Sequence, residues 1–301
     1  MNRELLVEIG PFKELDSIAG VQGTGNGIRF ISNGNVNTLK IQAHIEKSIA
    51  GAGNTATVFL FNINRETREA LTTPGLTMNI FTRTDDGEYM MAFFGGLTGV
   101  YTERIGTEIR TRLVGFSAMS NLYELPVQAS YEKGIEVSKI VTEIAQKIPG
   151  ITVDPAHINI EGVTGESGFK QIGSVPGVLD SLSKQFGFSW SIQDGVFVAL
   201  KDGTGEDTAI RLTSESGLIK VSPRFTGITQ VQVGVDITSK YVDGIRPGQI
   251  VSIESKIHPE KLNGEYEVHT LDCDLCPKTS EWNMHIAFFY REGANDEVAR
   301  G

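Results

Sequence analysis

The chain has 301 residues, 40% of them hydrophobic, with 34 glycines, 10 prolines and a formal net charge of -10. This suffices for about two or three domains with full cores, and the glycine count suits many turns between short strands, not a coiled coil or a disordered chain. The acidic balance argues against a phosphate-gripping surface, which needs clustered Lys and Arg, and two cysteines cannot make a disulfide framework.

Leu5-Leu6-Val7 is the only apolar run before Gly10, far too short for a signal-peptide core. No stretch reaches the roughly 18 apolar residues of a membrane helix, so the expectation is a chain made in a cytoplasm, without membrane insertion. Ile28-Arg29-Phe30-Ile31 leads into an Asn33-Gly34 turn. Leu39, Ile41, Ala43 and Ile45 then alternate with Lys40, Gln42, His44 and Glu46, the period of a half-buried strand with His44 on its polar phase. Ala56–Phe61 is a further strand, and Asn64 caps a short helix running to Leu71. Pro74-Gly75 opens a hairpin through Leu76–Phe81 that turns near Asp85-Asp86-Gly87-Glu88-Tyr89, followed by alternation over Glu108–Val114. One antiparallel barrel or sandwich is predicted over 1–122.

Between 123 and 205 the period changes. Val137, Ile140, Val141, Ile144 and Ile148 form one helical stripe ended by Pro149-Gly150. Ser174 caps a second helix with Pro176 in its first turn, a buried face of Leu179, Leu182 and Phe186, and Gly187 closing it. The strand Phe188–Ile192, the turn Asp194-Gly195 and the strand Val196–Leu200 make a hairpin, so this is a small α/β module. Lys201–Thr208 is polar and linker-like. Strands return over 206–293, where Val231, Val233 and Val235 alternate with polar or small residues and a last strand runs from Trp282 to Tyr290. The polar tail, 294–301 with the residues just before it, is expected to fray.

Two distant stretches read as the same β unit. Pro74-Gly75 precedes Gly87-Glu88-Tyr89, Pro247-Gly248 precedes Gly264-Glu265-Tyr266, and Ile109 and Ile286 follow at equal distances from the tyrosines. A duplicated β domain is predicted, with 74–114 and 247–290 as equivalent strands.

Candidate chemistry is sparse. Gly23-Thr24-Gly25-Asn26-Gly27 lacks the strand before, the helix after and the Lys-Ser/Thr of a phosphate loop, and is read as a strand-entry loop. Cys273 and Cys276, with His269 and His285, offer a possible zinc quartet. The alternative is a loop between strands carrying two reduced thiols. Asp85-Asp86 and the pair Asp272 and Asp274 are read as turn residues, and Trp190 and Trp282 as core anchors in preference to sugar platforms. There is no Gly-x-Ser-x-Gly elbow and no His-Glu-x-x-His. No catalytic, cofactor-binding or metal residue is assigned.

The order of parts resembles the baseplate central hub proteins of contractile-tailed bacteriophages, which are related to the base of the type VI secretion spike. The resemblance runs through Asn37–Ile41, Val58–Asn62 with its short helix, Phe94–Gly99, Val178–Phe188 with Trp190, Gly217–Pro223, Arg246-Pro247-Gly248, Gly264-Glu265-Tyr266 and Trp282. It implies a mainly β fold with an α/β insert: two tube-protein-like antiparallel β-barrels flanking a small helix-hairpin module. It implies a non-enzymatic structural virion protein, a homotrimer that joins tail tube to spike and conducts DNA during genome ejection. Its partners would be the tail tube or tube-initiator protein, the spike, and the baseplate wedge and tape measure proteins. DNA would pass without specific binding, helped by an acidic inner wall. Two barrels per chain would let three chains imitate six. The cysteine loop is not a feature of that family. The alternatives are a tail-tube or distal-tail adaptor ring, and a tail-borne cell-wall hydrolase module.

Overall fold

A computed structural model describes residues 2–11, 27–49, 53–85, 87–117, 125–149, 151–164, 168–201, 206–225, 232–257 and 259–290, with the backbone alone described at 206–209. The Gly23–Gly27 loop (all but Gly27), Asp86, Val231 and the tail from Arg291 lie outside the described residues.

The N-terminal part contributes β1 (Arg3–Gly10), β2 (Ile28–Asn33), β3 (Ile41–Ser48), β4 (Thr55–Phe61), α1 (Arg65–Ala70), β5 (Thr77–Thr84), β6 (Met90–Ile105) and β7 (Glu108–Phe116). The C-terminal part contributes β13 (Glu206–Thr213), β14 (Leu218–Phe225), β15 (Gln232–Lys240), β16 (Gln249–Glu254), α4 (Pro259–Leu262), β17 (Gly264–Leu275) and β18 (Trp282–Tyr290). These strands form one 13-stranded sheet in the order β14-β15-β18-β17-β3-β4-β7-β6-β5-β1-β2, with β16 on β17 and β13 on β16. All its pairings are antiparallel except β13 with β16.

Between the two parts lie β8 (Pro126–Tyr131), α2 (Val137–Ala145), β9 (Thr152–Asn159), β10 (Phe169–Ser174), α3 (Val175–Phe186), β11 (Phe188–Gln193) and β12 (Val196–Lys201). They form a two-stranded β8–β10 ribbon, a three-stranded β11-β12-β9 sheet and a separate apolar core that includes Val137, Ile140, Leu179, Leu182, Trp190 and Phe197. The fold is therefore mainly β with a small helical insert.

Local sequence explains the helices. Asn64 Oδ1 accepts from the Thr67 N–H at 2.7 Å, and Ser174 Oγ accepts from the Gly177 N–H at 3.3 Å. Gly187 ends α3 in the left-handed region at φ 66°. Helix α2 stops at Ala145, earlier than its stripe suggests. Ile148 stays in the core because a tightening turn carries it there, its N–H donating to Ala145 O at 2.9 Å.

Two closed barrels are not what the described strands form. Ala43–Ser48 of β3 pairs with Leu275–Thr270 of β17, so one half of the sheet continues into the other. Leu5, Val58 and Leu113 share a single core with Ile237, Tyr266 and Trp282. The reason is strand length. β17 spans 12 residues, and β16 covers only Gly264–Glu267. The remaining edge needs backbone partners, and β3 supplies them.

The duplication is present in the topology. The spatial order β3-β4-β7-β6-β5 recurs as β14-β15-β18-β17-β16, with the strands used in the same chain order. Pro74-Gly75 and Pro247-Gly248 take equivalent places, and both glycines are left-handed, at φ 81° and 88°. The Gly-Glu-Tyr motifs are not equivalent. Thr77 pairs with Gly96 as Ile250 pairs with Glu267, which sets Gly264 level with Phe93 and Tyr266 level with Gly95. Ile286 likewise matches Leu113, since each stands opposite a core residue of the next strand, Ile237 and Val58.

Candidate assembly surface

The sheet has an apolar face and a polar face. On β3 the residues Ile41, Ala43 and Ile45 enter the core, while Gln42, His44 and Glu46 face away. Across the β3–β17 junction, His44 Nδ1 lies 2.8 Å from Asp274 Oδ1 and His44 Nε2 lies 3.4 Å from Glu46 Oε1. Thr55 donates to Glu46 Oε2 at 2.7 Å. Asp272 stands opposite Glu46 on one side and His285 on the other.

Burial disfavours the His44 imidazolium, but hydrogen bonds and charge from Asp274 and Glu46 outweigh it, and its pKa is raised. The Thr55 hydroxyl, then His44, hold the Glu46 carboxyl below its ordinary value. Partial burial, then the charge of Glu46, push Asp272 up.

Cations flank this acidic junction. On β6 and β7, Glu103 Oε1 accepts from Arg110 Nε at 3.0 Å, with the guanidinium 4.5 Å from the Phe59 ring centroid. On β14 and β15, Arg224 donates to Asp236 at 2.8 Å, beside a groove of about 340 Å³ lined by Lys220, Arg224, Asp236, Asp272 and His285. The polar face is thus mixed in charge, not uniformly acidic.

The insert is fixed to the sheet by a buried polar joint. Lys47 Nζ donates to Asp194 Oδ2 at 2.6 Å, with both side chains buried. Asn54 Nδ2 donates to Gln193 Oε1 at 2.8 Å, Gln193 Nε2 donates to Ser48 O at 2.9 Å, and Ser117 Oγ accepts from the Asn54 N–H at 2.6 Å. Ile49 packs beside Val198 and Leu200. The Asp194-Gly195 turn, both residues at positive φ, presents the carboxylate to Lys47. The turn was legible in sequence, but its partner was not. One signal was available, because Lys47 occupies the apolar phase of β3 after Ile41, Ala43 and Ile45.

The possible zinc residues are not brought together. Cys273 points into the core opposite Met284. His285 pairs with Asp272 and therefore lies on the other face, with its Nδ1 3.1 Å from Thr238 Oγ1. His269 packs edge-on to Phe289 at 4.6 Å. Burial pushes the Cys273 thiol up to about 12, and Cys276 is buried too. Among the described residues no group of three or more His, Cys, Asp and Glu is arranged to hold a metal ion. Asp272 and Asp274 are strand residues at the junction, not turn residues. Asp85 does turn, at φ 52°. Trp190 stacks on Phe197 in the insert core and donates to Asp180 at 2.9 Å, and Trp282 is fully buried against Tyr241.

No protein-family model matches the chain, and no curated protein matches it by sequence. Solved structures do share its fold. The 43 kDa tail protein of prophage MuSo2 from Shewanella oneidensis superposes with a TM-score of 0.62 at 11% identity, over 96% of this chain and 97% of that one. A tail protein from Neisseria meningitidis MC58 gives 0.62 at 11%, over 95% and 96%. The Escherichia coli c3393 protein, a type VI secretion component similar to the T4 tail proteins gp27 and gp5, gives 0.59 at 10%, over 86% and 76%. At such identities the likeness is one of fold, and that fold is the one seen in phage tail proteins.

Proposed function

We propose that this chain is a structural subunit of a phage-type tail: the central baseplate hub, a homotrimer between tail tube and spike. The observation that carries this reading is the repeated five-strand order within one chain, on a fold matched end to end by tail proteins. Duplication lets a three-chain ring offer six similar β units, and so meet a six-fold tube on one side and a three-fold spike on the other. The division at 1–122, 123–205 and 206–293 belongs to this reading: two β halves and an insert held by Lys47 and Asp194. The role is scaffolding, without catalysis.

In this reading the polar sheet face lines a DNA channel. Its carboxylates at Glu46, Asp272 and Asp274 interrupt the cations on either side, so no continuous basic track would hold a phosphate backbone. The spike, the tube or its initiator, and the wedge and tape measure proteins are the partners, and the virion tail is the location. Among the described residues no helix is long and apolar enough to cross a membrane. Native mass measurement tests the reading: three chains per assembly support a hub, and six would make the chain a tube or adaptor ring.

A further inference from the structure

One end of the sheet, where β1 begins and β5 ends, is rich in donors that nothing accepts from. Arg3 opens β1 in phase with Leu5, so its side chain lies on the apolar face, with its guanidinium carbon 6.0 Å from the centroid of the buried Trp282 ring. Arg83 of β5 stands opposite Glu4 on the other face and stacks on Tyr89 at 4.6 Å. The Nε atoms of both arginines and the indole Nε1 of Trp282 are buried and have no hydrogen-bond partner. Arg3 is half-buried, and among the described residues its guanidinium has neither an ion pair nor an acceptor. A cation partly removed from water without an acceptor is costly, and an incoming anion recovers that cost.

Arg3 and Arg83 line one cavity of about 320 Å³, together with Glu4, Asn33, Asn35 and Asp85. The carboxylates in it already have donors. Glu4 Oε1 accepts from Arg83 Nη2 at 3.0 Å, Glu4 Oε2 accepts from Asn33 Nδ2 at 3.5 Å, and Asp85 Oδ1 accepts from the Asn2 N–H at 2.8 Å. Lys278 reaches the same corner, its Nζ donating to Asn35 O at 2.8 Å. Arg3, Arg83 and Lys278 therefore face Glu4 and Asp85, which leaves one positive charge over. A single negative charge completes the balance, whereas a doubly charged phosphate would be opposed by both carboxylates. The planar guanidinium fork matches a carboxylate with two parallel hydrogen bonds.

We propose that this cavity is a carboxylate-binding site, with Arg3 as the residue that takes the carboxylate. Trp282 backs the guanidinium from the core side, and Arg83 stays with Glu4 as a neutral pair on the opposite wall. The volume stands at the lower end of the range for small-molecule sites. It admits a carboxylate with a short stem, as carried by a small organic acid or by the last residue of a peptide chain. Both sources share the chemistry of the site, and neither depends on how many chains an assembly holds.

The test follows the arginine Nε–Hε NMR signals of the full chain during titration with acetate, with N-acetyl-dialanine, with the C-terminal amide of that peptide, and with inorganic phosphate. A saturable shift of the Arg3 signal with the two carboxylates, and none with the amide, is expected. Tighter binding of the peptide acid than of acetate assigns the site to a chain end, and equal binding assigns it to a free small acid. Arg3→Gln should weaken carboxylate binding at least about tenfold, the loss of one charge-assisted hydrogen bond, and Arg3→Lys, which keeps the charge without the fork, should fall between. Circular dichroism checks the fold of each variant, and the wild-type titration stands without them. No saturable shift with either carboxylate, binding of phosphate as tight as that of the acids, or a folded Arg3→Gln that binds as the wild type does, would each overturn the site.

Discussion

His44 of β3 and Asp274 of β17 meet at 2.8 Å across the line where the two halves of the sheet become one, although 230 residues separate them in the chain. Glu46 approaches the second ring nitrogen at 3.4 Å, so the ring, when protonated, offsets part of the negative charge of the junction.

That contact makes the junction sensitive to pH. The His44 pKa is raised in the folded chain, so its contribution is fully present below the unfolded value of about 6.5 and is lost as pH rises through the higher folded value. Because the ring is partly exposed, the contribution is under about 1 kcal/mol. His44→Gln is expected to flatten the Tm profile between about pH 6 and pH 8. A histidine-detected NMR titration should give His44 a pKa above that of an unfolded control, and a value at or below the control would contradict the electrostatics described.

Asp272 predicts a companion effect of opposite origin. Its carboxyl is pushed up by burial and by Glu46, so at neutral pH its charge opposes folding. Asp272→Asn should raise the urea midpoint at pH 7, by an amount equivalent to under about 1 kcal/mol, and the gain should shrink as pH falls through the raised folded value and vanish below the unfolded value of about 3.9.

The Lys47–Asp194 pair is a larger effect because both groups are buried. Lys47→Met leaves Asp194 charged and unpaired, and is expected to destabilise by about 3–5 kcal/mol in urea unfolding. Adding Asp194→Asn should recover much of that loss, since the left-handed φ of 52° suits asparagine as well as aspartate. Equal destabilisation in single and double variants would show that the charge pair is not the source.

The two Pro-Gly turns make a matched comparison. Gly75 and Gly248 are both left-handed, but a Cβ at Gly75 meets nothing within 4 Å, while one at Gly248 meets Leu200 Cδ1 at 2.7 Å and Ile49 Cδ1 at 2.9 Å. Gly75→Ala should lose only the conformational term of about 1–2 kcal/mol. Gly248→Ala should lose a further amount of about 1–3 kcal/mol, because the insert packs there. Matching losses would mean that the insert contact yields freely.

Much of this fold follows from local pattern. The alternation on β3, the Asn64 cap of α1 and the Ser174-to-Gly187 frame of α3 are set by neighbours within a few residues. What was not legible depends on partners. β1 is buried on both faces, so Leu5–Ile9 shows no alternation. β9 contains Asp154 and Pro155 and is mostly exposed, so it carries no period. The β3–β17 junction is a pairing between distant strands, and no local motif marks it. The repeat was visible through Pro-Gly because a left-handed glycine is needed at that turn in both halves. Gly-Glu-Tyr misled because Tyr266 lies in the core of β17, whereas Tyr89 precedes β6 and packs at 4.6 Å from the Arg83 guanidinium.

The central claim, that the duplicated β halves build a hub ring, is tested most directly by electron microscopy of the purified full chain, alone and with a spike partner. The account predicts a closed ring of three chains around a central channel, six-lobed in end view because each chain supplies two similar β units. A ring of six chains, or monomers alone with no ring in either preparation, would contradict it.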